Sequence, residues 1–419
     1  MKVLVVGSGG REHALVWALA RSSAVDTIVT APGNVGTTGL ARSMVLGDAL
    51  AEVETFDLVI IGPEQPLVDG LADEIRARGV PVFGPSRAAA HLEGSKAWMK
   101  EIAASAGVPT ARYAAFDHTR EAEALAFLDT LPGLYVVKTD GLAAGKGVIV
   151  TESLAEARDA VRAYLSGDSF GEAGRTLVIE EGMRGPELSL LAVCDGSTTA
   201  LALPPAQDFK RIGDGDVGPN TGGMGAYSPV PVAGADVVDV VMSKAVEPTL
   251  AALARRGIEY RGILYAGLML TGDGPKLIEY NIRFGDPECQ VVVPRLASDL
   301  FVHCLEAATG RLATPVRTID DACVVVVLAT EGYPGANRTG DVIEGLDALS
   351  ALDDVTVFHA GTRREGDSVL TDGGRVLDVV ATGPTIGAAR TRAYEAAALV
   401  SWPGIQYRSD IAALAGSST

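Results

Sequence analysis

The sequence predicts an α/β fold built on a parallel, doubly wound sheet, and three observations predict it. Short β-branched runs alternate with helical stretches from Lys2 to Phe83, the pattern of strands joined by crossover helices. Farther on, two apolar runs flank a glycine loop over residues 136–150, which reads as strand, flap, strand. A chain of 419 residues also holds enough material for roughly three domains.

The first unit justifies its strands in order. Residues 2–6 read as a buried parallel strand, and Gly7-Ser8-Gly9-Gly10 turns into a helix running to about Arg21. Strands follow at 26–30, 56–62 and 80–83, with a helix over 67–78. A ligand is expected beyond the carboxyl ends of such strands. The dinucleotide fingerprint is incomplete, because Glu12 stands where its third glycine belongs and no acid ends the second strand. The N–H groups at Gly9 and Gly10 still suit a lone phosphate. A turn needed only for close strand-to-helix packing is the alternative.

A helix over 96–106 opens on Lys96. A strand at 113–116, a helix at 121–131, the flap, a helix at 154–165 and a strand at 176–181 then form a small α/β unit. It spans 113–186 and reads as a lid. The flap holds Gly141, Gly145 and Gly147 with Lys138 and Lys146. Glycine lets backbone approach a bulky anion, and lysines with free N–H groups supply the charge a polyphosphate needs. It is not a P-loop: three residues separate Gly141 from Gly145, and a strand rather than a helix follows. An ordinary hairpin with a glycine tip is the alternative. Past Glu180 and Glu181, the hinge at Gly182-Met183 suits an adenine edge, and Glu187 is placed to accept from ribose hydroxyls. Solvated glutamates at a strand end are the competing reading.

From Asp208 to Tyr227 the chain is dense in glycine and reads as a long ordered loop. A long helix over 236–256 is kinked or divided at Pro248, and a strand covers 262–270. In the next strand, 276–281, alternation puts Leu277, Glu279 and Asn281 on one face, with Ile278 and Tyr280 on the other. A carboxylate and an amide oxygen two residues apart are hard ligands suited to Mg²⁺, with a polar, solvated strand face as the alternative. Arg283-Phe284-Gly285-Asp286-Pro287-Glu288 then crowds charge into otherwise apolar surroundings. The last unit, 309–419, has strands at 322–329, 356–359 and 376–381 and a helix over 385–399.

The net charge of −18 disfavours non-specific nucleic-acid binding. It leaves room for anionic ligands, since a local cluster of cations overrides the global sign. The longest apolar run, residues 322–329, is too short to cross a bilayer, and the N-terminus has no signal-peptide core. A cytoplasmic protein is expected. Cys194, Cys289, Cys304 and Cys323 lack C-x-x-C spacing and read as small buried hydrophobes. The five histidines make no zinc pattern.

The motifs together resemble one family. Val-Val-Gly-Ser-Gly-Gly-Arg-Glu-His-Ala, Gly62-Pro63-Glu64, Leu92-Glu93-Gly94-Ser95-Lys96, the flap from Lys138 to Gly147, residues 218–229 and residues 281–288 resemble the phosphoribosylamine–glycine ligases of purine biosynthesis, members of the ATP-grasp superfamily. Two departures stand out: Phe209 replaces a frequent His, and Gly182-Met183 replace a more hydrophobic pair.

The resemblance implies an N-terminal Rossmann-like domain over 1–98, an ATP-grasp body over 99–308 carrying the lid, and a C-terminal α+β domain over 309–419. It implies ligation of glycine to 5-phosphoribosylamine through glycyl phosphate, driven by ATP with Mg²⁺ or Mn²⁺. Lys96, Lys138 and Lys146, with Gly141, Gly145 and Gly147, are assigned to phosphates. Glu180, Glu181, Met183 and Glu187 go to adenine and ribose, and Glu279 and Asn281 to the metal. Arg283, Lys138 and Asp286 are the catalytic candidates. Gly9, Gly10, Arg11, Glu12, Pro63, Glu64, Asp208, Lys210, Gly222, Gly223, Met224 and Arg283 are the substrate-binding ones. The expected partners are these small molecules alone, with neither nucleic acid nor membrane, in a monomer or weak homodimer.

Overall fold

The structure is a computed structural model and describes residues 1–142, 147–167 and 176–415. Gly145 and Lys146 of the flap lie outside the described residues. Five parallel strands make the N-terminal sheet, in the order Arg42–Ser43, Thr27–Pro32, Lys2–Gly7, Leu58–Ile61, Val82–Phe83. The Lys2–Gly7 strand is apolar on both faces because both faces of the sheet are covered. The helix expected over 67–78 is instead two, Glu64–Asp69 and Leu71–Ala77. Gly70 divides them at φ +95°, and a Cβ there would stand 2.7 Å from the Arg87 guanidinium, which bonds the Asp69 carbonyl.

The lid is a four-stranded antiparallel sheet ordered Tyr113–Asp117, Thr176–Glu181, Tyr135–Thr139, Val148–Thr151. Helices Glu121–Leu128 and Leu154–Leu165 pack on it around Phe116, Leu128, Val137, Val161 and Ile179. Ser153 starts the second helix by accepting from the Glu156 N–H, as an N-cap should.

The body sheet is antiparallel, in the order Ala200–Ala202, Glu187–Asp195, Arg261–Thr271, Gly274–Asn281. A second antiparallel sheet runs Gln207–Asp208, Gly225–Ser228, Ala322–Ala329, Arg375–Gly383, Val355–His359. The glycine-dense stretch is therefore no plain loop. It folds a hairpin, Arg211–Gly213 with Val217–Asn220, and lends strands to the C-terminal sheet. The helix over 236–256 divides as expected near Pro248: Ala235–Val241, a π turn at Met242–Val246, then Glu247–Arg255. Proline lacks an N–H, and the widened turn absorbs the loss.

Strand alternation fails at one informative place. Gly267 faces Glu279, but Leu268 faces Leu277, so a bulge at Ile278 shifts the register. Leu277 thus joins Tyr280 in the core, not Glu279 as the plain alternation required. Glu279 and Asn281, paired to Gly267 and Tyr265, do share a face.

Candidate functional site

The lid meets the body at a row of buried charges. Lys138, on the first flap strand, pairs with Glu180 at 2.7 Å, and Lys100 takes the other Glu180 oxygen at 2.7 Å. Burial opposes the Glu180 charge, but the two lysines hold its carboxyl below the ordinary range. Burial also opposes the Lys138 charge, and Glu180 with Glu279 leaves its ammonium above the usual lysine value. Lys100, chiefly through burial, is pulled down to about 8. Lys96 donates to the Gly141 carbonyl at 2.7 Å, and Asp140 accepts from the Ala97 N–H and the Ser95 hydroxyl. Helix and flap root are thereby tied at Lys96. The ammonium is pulled down by burial, against the pull of Glu279 and Asp140.

Glu181 accepts from the Arg112 N–H at 3.1 Å, which joins the two chain crossings into the lid. Met183 lies half-buried on the hinge beyond it. Gly182 is required by packing, since a Cβ there would stand 2.1 Å from the Leu134 side chain. Glu187 and Asp208 bracket Lys210, at 2.7 and 2.9 Å. One ammonium serves two acids. Glu187 is held low by Lys210, while burial pushes Asp208 up to about 7.

Arg283 is the hub on the opposite wall. Its guanidinium reaches Glu93 at 3.0 Å and Glu64 at 3.3 Å. Burial works against its charge, and these two acids more than restore it. Glu93 also accepts from the Ile282 N–H, so it fixes both the side chain and the backbone of this turn. Pro63 caps the short helix that presents Glu64.

In the first turn, Glu12 explains the missing third glycine. Its carboxylate accepts from the Gly9 N–H at 2.6 Å and from Arg11 at 2.5 Å, closing the helix start on itself. A Cβ at Gly62 would lie 2.0 Å from the same carboxylate. The Gly9 N–H is thus engaged by Glu12, while the N–H groups of Gly10 and Arg11 have no intrahelical acceptors. Arg11 runs on to the Phe284 carbonyl and joins this turn to the Arg283 loop.

Asp286 accepts from Gln290 at 2.7 Å and lies 3.3 Å from Arg375. Arg375 also donates to the carbonyls of Gly222 and Asp286, pinning the glycine stretch to this loop. Gly223, at φ +114°, would drive a Cβ to 2.4 Å from Pro287. Met224 is fully buried, and its N–H and carbonyl are paired to the Phe209 carbonyl and the Val327 N–H.

Sequence reasoning missed Glu93, Lys100, Gln290, Arg375 and Asp378. Lys100 follows Lys96 by one helical turn, a spacing that puts both on one face and was a usable signal. Arg375 and Asp378 reach the site only through tertiary packing, and nothing local marks them.

Three stretches match the models of one family in order. Residues 1–93 match the phosphoribosylglycinamide synthetase N domain, 94–289 its ATP-grasp (A) domain and 323–414 its C domain. The chain belongs to the phosphoribosylglycinamide synthetase family. It is accordingly an ATP-grasp ligase. Its similarity to the phosphoribosylamine–glycine ligase of Brucella melitensis biotype 1 is 50% identity, over 98% of this chain and 97% of that one. The Streptomyces coelicolor phosphoribosylamine–glycine ligase is 49% identical, with 100% of both chains covered. The crystal structure of the Thermotoga maritima phosphoribosylamine–glycine ligase superposes with a TM-score of 0.86 at 35% identity, over 98% of this chain and all of that one. Biotin carboxylase from Campylobacter jejuni, solved as a βγ-ATP complex, shares only the fold, with a TM-score of 0.73 at 13% identity over 97% and 92% of the chains. Among the described residues, no helix is long and apolar enough to cross a membrane.

Proposed function

We propose that this chain joins glycine to 5-phosphoribosylamine, with ATP cleaved to ADP and phosphate, giving glycinamide ribonucleotide in de novo purine biosynthesis. Full-length kinship to ligases of that name supports the reading. The observation that carries it in the structure is the seam where lid lysines, the Glu279 strand, the Arg283 loop and the N-terminal turn converge.

Glycine's carboxylate attacks the γ-phosphate of ATP to give glycyl phosphate and ADP. The amine of phosphoribosylamine then displaces phosphate and forms the amide. Carboxylate and triphosphate repel one another, so cations must gather them. Lys96, Lys138 and Lys146, with the flap glycines Gly141, Gly145 and Gly147, hold the phosphates. Glu180, Glu181 and Met183 lie along adenine, and Glu187 takes the ribose. Arg283, oriented by Glu93 and Glu64, binds the acyl phosphate. Asp286 faces the incoming amine, and the turn at Gly9, Gly10 and Arg11 takes the substrate's phosphate. Lys210, Asp208, Gly222 and Gly223 complete that wall.

Among the described residues no three metal-ligating side chains of His, Cys, Asp or Glu cluster. Glu279 and Asn281 nevertheless suit Mg²⁺ or Mn²⁺, as one carboxylate and one amide leave the remaining positions to phosphates and water. When bound, the ion neutralises triphosphate charge. The reading divides the chain at 1–98, 99–308 and 309–419, with the lid over 113–186, and describes a cytoplasmic monomer or weak homodimer without nucleic acid. The test mixes enzyme, Mg-ATP, glycine and freshly generated phosphoribosylamine and looks for glycinamide ribonucleotide by mass. ADP release that follows bicarbonate rather than glycine would overturn it.

A further inference from the structure

Asp378, on the Arg375–Gly383 strand of the C-terminal sheet, is fully buried. Its Oδ2 accepts from the Gln290 amide at 2.8 Å, and the same amide nitrogen donates to Asp286 at 2.7 Å. One amide therefore bridges two carboxyl groups. Asp378 Oδ1 and Gln290 Oε1 are buried and hydrogen-bond to no other described residue. The N-terminal turn rests on the same pair: a Cβ at Gly10 would stand 1.8 Å from Asp378 Oδ2, and one at Gly9 would stand 3.4 Å from Asp286 Oδ2. A path of direct contacts thus leads from the C-terminal strand through Gln290 to Asp286 and the turn.

We propose that Asp378 is a positioning residue that holds Asp286 through the Gln290 amide against the turn at Gly9 and Gly10. The proposal rests on the reading that this turn receives phosphoribosylamine. An amide with two hydrogens can hold one ionised and one neutral carboxyl group. Ionising Asp378 places a second negative charge beside Asp286 in a buried site and drives the two apart. Burial, and then the Asp286 charge, lift Asp378 to about 7, against Arg375 and the Gln290 bond. Asp286 stays ionised, held low despite burial by Arg375 and Arg11.

The surrounding groups leave this titration distinct. The first helix brings Arg11, Glu12 and His13, and the Val355–His359 strand brings His359. Burial pulls His13 down to about 3 and His359 to about 4, so both are neutral around pH 7. The Ala322–Ala329 strand carries no charge. On the packed Ile386–Ala397 helix, Arg390 bonds the Ile411 carbonyl and Arg392 bonds Asp354, each with its own partner, and Glu395 is exposed.

The reaction is followed in reverse, from glycinamide ribonucleotide, ADP and phosphate to ATP, because this substrate is stable across pH. In the wild type, kcat/KM for glycinamide ribonucleotide should fall with pH, breaking near neutrality, while the KM for ADP stays level. Asp378→Asn, which is always neutral, should lose the enzyme's break and keep only the titration of the substrate phosphates. Gln290→Glu, which cannot bridge two acids, should raise the KM for glycinamide ribonucleotide about tenfold or more, with the ADP KM unmoved. Identical pH profiles in wild type and Asp378→Asn overturn the proposal, as does an equal rise in both KM values for Gln290→Glu. A flat wild-type profile overturns it even where a variant does not fold. A wild type that makes no ATP from glycinamide ribonucleotide instead refutes the underlying reading of the reaction.

Discussion

The lid encloses a core of its own, whereas the other three units share theirs. Among the described residues, Phe116, Leu128, Val137 and Ile179 lie in an apolar cluster made of lid residues alone. Leu4, Leu188 and Val324, from the N-terminal, body and C-terminal sheets, lie in one apolar cluster, and Val5, Leu191 and Val325 lie in another. The lid is tied down by polar contacts instead: Lys100 to Glu180, Lys96 to Gly141, Asp140 to Ala97, and Lys138 to the Ile278 carbonyl at 3.5 Å. Polar contacts can be exchanged for ligand contacts, while a shared apolar core cannot be opened without large cost. The difference teaches where motion is allowed. A lid held by polar contacts is free to move against a frame held by shared apolar cores.

The largest expected effect lies on that seam, at Glu279. Its carboxylate belongs to the body strand, yet its charge acts on Lys138 of the lid and on Lys96 at the lid's root. Glu279→Gln keeps the shape and removes the charge. Turnover should fall about a thousandfold, equivalent to roughly 4 kcal/mol, with folding preserved. A variant of near-normal rate and metal dependence would break the assignment.

The comparison itself is tested by two cavities. Leu128→Ala in the lid and Leu4→Ala in the shared core should each cost about 3 kcal/mol. Native-state hydrogen exchange should separate them. Leu128→Ala should speed exchange in lid strands alone, while Leu4→Ala should lower protection in the N-terminal, body and C-terminal sheets together. Equal loss of protection everywhere for both would show that the lid has no independent stability.

Much of this architecture was legible because its signals are local. Alternating β-branched runs placed the parallel strands, and the flap hairpin declared itself by glycines between two apolar runs. Three features were not. The break at Gly70 depends on Arg87, which arrives from a later helix. The bulge at Ile278 is set by pairing with a distant strand, so alternation alone put Leu277 on the wrong face. Asp378 and Arg375 meet Asp286 across about ninety residues, and no periodicity encodes that. Glu12 lies between the two cases: its departure from the dinucleotide pattern was visible, but its role as a cap required Gly9 and Gly62 in place.

On the fixed side of the seam, Gly9→Asp should act without touching nucleotide. The new side chain starts 2.9 Å from Glu12 Oε2 and 3.4 Å from Asp286 Oδ2, adding a third acid where a phosphate is expected. The KM for phosphoribosylamine should rise roughly tenfold to a hundredfold, about 1.5–3 kcal/mol. The KM for ATP should hardly change in a variant shown by circular dichroism to be folded. A loss falling mainly on ATP would mean that the two sides of the seam do not divide the substrates this way.

The smallest effect belongs to Phe209, half-buried against the shared core. Its ring lies 4.9 Å from the Arg408 guanidinium and 6.2 Å from the ring of Tyr227. Arg408 is almost wholly enclosed, and Asp216 and Asp410 each approach it at 2.6 Å. The aromatic face therefore covers a cation whose charge is already matched, and the ring supplies packing and a cation–π contact. Phe209→His keeps a planar ring but weakens that contact, so stability should fall by about 1 kcal/mol at pH 8. The sign of the pH dependence follows from Arg408: an imidazolium beside a guanidinium is disfavoured, so the new histidine's folded pKa drops below its unfolded value. Its penalty then grows as pH falls through the unfolded pKa of about 6.5. Thermal unfolding at pH 8 and pH 5.5 should show the gap from wild type widening at the lower pH, with ATP and glycine saturation unchanged. A gap that narrows on acidification would mean that Asp216 and Asp410, rather than Arg408, dominate the field at that ring.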